Sequence, residues 1–195
     1  MQQKIIHISG FPGSGKTTLG ESISKTFGKS VAVIDTDTFI QHNTSEGKLL
    51  LTIDNSATYK KTWRDILKQK IINFIDDNKD KSAIVFVGSL DNWAPTNTIY
   101  DPGTIITHKI LLNTDLKELL KRYYLRIYLT EQKLLSEGKE ALCKDYWRKL
   151  SEGKYHIKGS DEILTEHKKY NTWHHKHSYK LMTDKAILAA IKRML

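Results

Sequence analysis

Residues 10 to 18 read Gly10-Phe11-Pro12-Gly13-Ser14-Gly15-Lys16-Thr17-Thr18 and fit the spacing G-x-x-x-x-G-K-[ST]. These residue types suit one task, holding a chain of phosphates. Backbone N–H groups must come close to the phosphate oxygens, and a side chain beyond Cα would block them, so Gly10, Gly13 and Gly15 fit such a loop. Lys16 can reach the β- and γ-phosphates, and the Thr17 hydroxyl can take a Mg²⁺ site. The pattern also needs a strand before it and a helix after it. Upstream lies Lys4-Ile5-Ile6-His7-Ile8-Ser9, a short apolar run. Downstream, Leu19, Ile23 and Phe27 recur at helical spacing, with Gly28 as a stop. A helix opening at about Gly15 points its free N–H groups and its positive dipole end at the same anion.

Phosphate transfer is mostly positioning and charge neutralisation, so a cradle needs acids and cations around it. Val31-Ala32-Val33-Ile34 reads as a buried strand ending in Asp35-Thr36-Asp37. Asp35 then lies near where Mg²⁺ would hang from Thr17, directly or through one of the waters that Mg²⁺ keeps. Asp37 can accept the proton of an acceptor hydroxyl. A third apolar run, Ala83-Ile84-Val85-Phe86-Val87, suits a strand buried on both faces. Gly88-Ser89-Leu90-Asp91 comes after it. A Walker B acid would stand directly after the run, whereas Asp91 comes later, as a contact to the acceptor or to Mg²⁺ or as a loop cap. Arg122 and Arg126 are one helical turn apart, and their guanidinium forks suit spread phosphate charge. Arg148 is a weaker candidate of the same kind.

The elements that must hold these groups alternate. After the second strand the segment 38–56 reads as a short helix and a polar stretch. Trp63, Ile66, Leu67, Ile71, Phe74 and Ile75 then line a helix from about Ala57 to Asp76. Ile105 to Leu112 reads as a strand. Asp115 with Glu118 reads as a capping box for a helix lined by Leu116, Leu119, Leu120, Tyr123 and Ile127. Residues 130–160 are helical in pattern but broken by Gly138 and Gly153. His167-Lys168-Lys169-Tyr170-Asn171-Thr172-Trp173-His174-His175-Lys176-His177 reads as an exposed loop, with a base-stacking surface or a histidine metal site as alternatives. Tyr179 to Thr183 reads as a last strand and Asp184 as the cap of a terminal helix. Such alternation argues a parallel α/β sheet, and the strand tips carrying Asp35, Asp37, Ser89 and Asp91 then face one crevice with the loop.

With 195 residues, one domain over 1–195 is the natural count. The only cysteine is Cys143, which excludes an internal disulfide and fits a reducing compartment, the cytoplasm. No apolar run reaches the length of a membrane span, and the chain enters a strand with no leader-like segment. A net charge of +9 suits a polyanionic ligand, nucleic acid, or simply a lysine-rich surface.

Gly10 to Thr18, the Asp35-Thr36-Asp37 strand end and the helix from Asp115 to Ile127 together resemble the P-loop kinases of nucleosides, nucleotides and small metabolites. The resemblance implies a five-stranded parallel sheet flanked by helices, with ATP and Mg²⁺ as cofactors. It also implies a helical lid over roughly residues 122–160. The Asp-x-Asp strand end is similar to that of shikimate and gluconate kinases, which implies Mg²⁺ holding for Asp35 and acceptor binding or activation for Asp37. Two departures leave the acceptor open. Gly88-Ser89-Leu90 replaces the shikimate kinases' glycine triplet, and the acceptor motif of the nucleoside monophosphate kinases is missing. The expectation is an ATP-dependent kinase of a small acceptor, with a hydroxyl favoured. A kinase of polynucleotide or tRNA ends and a nucleotide-dependent switch are the alternatives.

Overall fold

The computed structural model describes residues 2–38, 52, 56–88, 106–138, 144 and 159–195. Ser89, Asp91, Cys143, Arg148, Gly153 and much of the second half of the expected lid lie outside them. Five strands form one sheet: β1 (Lys4–Ser9), β2 (Val31–Asp35), β3 (Ala83–Val87), β4 (His108–Leu112) and β5 (Lys180–Met182). Their order is β2-β3-β1-β4-β5, and every pairing is parallel. The α-helices among the described residues are α1 (Lys16–Phe27), α2 (Ser56–Asp77), α3 (Leu116–Ser136), α4 (Ser160–Lys176) and α5 (Asp184–Met194). β1 therefore sits in the middle, with Val87 and Ile110 as the register neighbours of Ile8. All strand ends point one way, and the phosphate loop leaves the central one.

The period of two along β1 divides the core. Ile6 and Ile8, both fully buried, pack with Leu19 and Ile23 of α1 and Ile187 and Ile191 of α5. Burying one such side chain contributes about 1.5–3 kcal/mol, far above an exposed pair such as Lys61–Asp65, which contributes about 0–1 kcal/mol. On the other face, Leu67 and Ile71 of α2 pack on Ile84 and Phe86, while Ile163 and Tyr170 of α4 pack with Leu111, Leu119 and Phe11. Between these two clusters the central strand presents His7 and Ser9, both 0% exposed.

That polar seam is bonded throughout. His7 Nε2 lies 2.9 Å from the Gly88 carbonyl, and His7 Nδ1 lies 2.6 Å from the Tyr179 hydroxyl. Ser9 Oγ lies 2.6 Å from the Tyr170 hydroxyl and 2.8 Å from His174 Nε2, and His174 Nδ1 lies 2.9 Å from the Tyr170 carbonyl. A carbonyl only accepts. In a neutral ring, His7 Nε2–H and His174 Nδ1–H are therefore the donors, and their other nitrogens accept from Tyr179 and Ser9.

The fold corrects three expectations. Residues 167–176 belong to α4 rather than to an exposed loop, because Tyr170 and His174 are buried and bonded to Ser9. The histidines form no metal site: among the described residues no group of three His, Cys, Asp or Glu could hold an ion. Trp173 and His177 stack on each other at 3.9 Å. The terminal helix is capped by Thr183, whose hydroxyl accepts from the Ala186 N–H, and Asp184 is its first residue. Asp115 caps α3 as the spacing predicts, accepting from the Glu118 N–H at 3.1 Å. No helix among the described residues is long and apolar enough to cross a membrane.

Candidate active site

The loop between β1 and α1 folds back on itself. The Ser14 N–H donates to the Phe11 carbonyl at 2.9 Å, and the Leu19 N–H to the Gly15 carbonyl at 2.9 Å. Gly13 (φ 85°) and Gly15 (φ 94°) occupy the left-handed region that glycine adopts without strain. A Cβ on Gly15 would also meet the Arg122 guanidinium at 2.8 Å. Lys16 Nζ bends over the loop and donates to the Gly10 carbonyl at 2.6 Å. Phe11 turns its ring into the core, edge-on to His167 and Tyr170. Partial burial there holds the His167 imidazole below its usual range, so that ring is neutral near pH 7. Pro12, Thr17 and Thr18 are exposed, whereas Ser14 is buried.

Asp35, at the tip of β2, meets the loop. Thr17 Oγ1 donates to Asp35 Oδ2 at 2.9 Å, while Asp35 Oδ1 accepts the Asp37 N–H at 3.0 Å. The Thr38 hydroxyl closes the turn by donating to the Asp35 carbonyl at 2.6 Å. Asp37 is exposed beside it. The hydroxyl of Thr17 and the carboxylate of Asp35 are hard oxygen donors already within bonding distance of each other. That donor set fits Mg²⁺, which takes few protein ligands and fills its octahedron with waters and phosphate oxygens.

The two arginines line one groove on α3, and Arg122 also reaches the loop. Arg122 donates from Nη1 to the Ser14 carbonyl at 3.2 Å and from Nε to Glu118 Oε1 at 2.8 Å. Arg126 lies one turn on, in a shallow groove with Leu125, Leu129 and Lys133. Asp91 lies outside the described residues.

A cavity of about 410 Å³ opens beside Ser14 and Gly15, lined also by Thr18, Asn113, Thr114, Arg122, Asp184 and Leu188. Thr114 Oγ1 donates to the Ser14 carbonyl at 2.8 Å. Asn113, Thr114 and Asp184 belong to no motif, and sequence reasoning misses them as site residues. The signal for them is the same edge rule that singles out Asp35, applied to the ends of β4 and β5.

A family model described as an AAA domain matches residues 6–143, which takes in the phosphate loop, the Asp35 turn and α3. The chain belongs to that AAA-domain family. It is 33% identical over 127 residues to a uridine kinase from Chlamydia pneumoniae, covering 62% of this chain and 55% of that one. It is 29% identical over 143 residues to a shikimate kinase from Chlorobium phaeovibrioides, covering 71% of this chain and 64% of that one. The chain thus spans between about half and two thirds of the curated relatives it matches. Among solved structures, a shikimate kinase from Bacteroides thetaiotaomicron superposes with a TM-score of 0.54 at 17% identity, covering 98% of this AAA-domain chain and 97% of that one. At that identity the likeness concerns the fold, a five-stranded parallel sheet between helices, as the resemblance to P-loop kinases implies.

Proposed function

We propose that this chain is an ATP-dependent phosphotransferase that moves the γ-phosphate to a hydroxyl of a small acceptor. The observation that carries the reading is the Thr17–Asp35 bond, which joins the phosphate loop to the β2 tip with exposed Asp37 two residues on. The loop N–H groups and Lys16 bind the triphosphate, and Lys16 exchanges its Gly10 carbonyl for phosphate oxygens. Thr17 and Asp35 would hold Mg²⁺, which when bound neutralises phosphate charge. Arg122 supplies a cation above Ser14, with Arg126 a turn further out. Asp37 accepts the acceptor hydroxyl's proton as its oxygen bonds the γ-phosphorus. The bond from that phosphorus to the bridging oxygen breaks, and ADP leaves.

Both named relatives take acceptors that carry free hydroxyls, uridine and shikimate, which supports a small molecule over a nucleic-acid end. The basic surplus then serves the polyphosphate. The single cysteine supports a place in the cytoplasm. A screen of nucleosides, nucleotides, sugars, shikimate and short RNA with γ-labelled ATP tests the reading. Label is expected on one hydroxyl-bearing small molecule. A chain that transfers nothing, and that binds neither Mg·ATP nor Mg·GTP at millimolar concentration, overturns it.

A further inference from the structure

We infer that His7 is a positioning residue for the Thr17–Asp35 oxygen pair, acting through Gly88. The inference rests on the phosphotransferase reading of that pair. The neighbours of His7 along β1, Ile6 and Ile8, are buried isoleucines, and a leucine at position 7 would fill similar space without a polar group to satisfy. The chain instead places a fully buried imidazole there. A buried polar group is costly when left unpaired, so its bonds explain its presence. One of them holds the Gly88 carbonyl at 2.9 Å. The Gly88 N–H is held too, donating to the Ile8 carbonyl at 3.1 Å. Gly88 has φ 124°, a conformation open to glycine, and its Cα is pressed against the β2 tip. A Cβ there would collide with Thr36 Oγ1 and would lie 3.3 Å from Asp35 Oδ1. Gly88 is thus the backstop of the Asp35 turn, and His7 fixes it from behind, with Tyr179 orienting the imidazole at 2.6 Å. Loosening His7 frees Gly88 to shift, and Asp35 loses the wall that keeps its carboxylate on Thr17.

The test is calorimetry of ATP binding to the full chain, once with Mg²⁺ and once with EDTA. The wild-type chain is expected to bind more tightly with the metal. His7→Leu should lose about tenfold of the Mg·ATP affinity, the scale seen when a group behind a metal ligand is removed, while its metal-free affinity stays. His7→Gln, whose amide N–H can still reach the Gly88 carbonyl, should recover most of the loss. Tyr170→Phe removes a hydroxyl from the same buried seam on the Ser9 side and should keep the full gain from the metal. A folded His7→Leu chain with an unchanged gain overturns the inference, and so does a Tyr170→Phe chain that loses as much. Should His7→Leu not fold, Tyr179→Phe carries the test with a fall of about threefold, the scale of one lost hydrogen bond, and an unchanged gain there overturns it. A wild-type chain that ignores ATP overturns the phosphotransferase reading instead.

Discussion

On the β4 flank of the phosphate loop, Thr114 and Arg122 both donate to the Ser14 carbonyl, from 100 and 108 positions further along the chain. On the β2 flank, Asp35 is held by the N–H of Asp37 and closed by the hydroxyl of Thr38, within three residues of itself. From outside the turn, Thr17 donates to Asp35 and Gly88 stands against it. The first flank exists only when strands, helices and loop are all in place, so it belongs to the frame. The second is a local turn, backed by Gly88, whose exposed Asp37 can change without repacking a sheet. In the proposed phosphotransferase the acceptor contact, Asp37, is on the part that is easier to change.

Four measurements test whether the flanks divide the work in this way. Asp37→Asn should lower turnover about a thousandfold, the scale of a lost general base, while ATP affinity by calorimetry stays within about twofold. Equal losses in both would mean that the two flanks are not separable. Lys16→Met should lower turnover about a hundredfold by removing charge from the transferring phosphate, a loss read in single-turnover kinetics. Arg122→Ala should weaken ATP binding about tenfold without shifting the acceptor KM, since a charged hydrogen bond is involved. Thr114→Val should cost about 1 kcal/mol, seen as a fall in melting temperature of about 2–4 °C, with turnover nearly intact.

Most of the frame is legible from residue order. The runs at 5–8, 31–34 and 83–87 are strands because each is mostly apolar and short, with 83–87 buried throughout, and the loop motif dictates a helix after the first of them. The failure at 167–176 has a physical cause. Ile163, Tyr170 and His174 lie on one helical stripe, but tyrosine and histidine read as solvent-loving unless a partner is known. Their partner, Ser9, is 161 and 165 residues away and is itself polar, so neither half announces a core. His7 escapes notice as a site residue for the same reason. In the site, the Asp35 turn is visible because its acids sit beside an apolar run. Asn113 and Thr114 carry no charge, and their role depends on a strand order that pairs β4 with β1.

Among the described residues, the buried hydroxyls of Ser14 and Thr36 have no hydrogen-bond partner. Each faces a glycine, Ser14 facing Gly10 and Thr36 facing Gly88, where an added Cβ would collide with the hydroxyl. The two glycines and the two hydroxyls are therefore coupled positions, since a larger residue at either glycine would need the hydroxyl beside it to move or be removed.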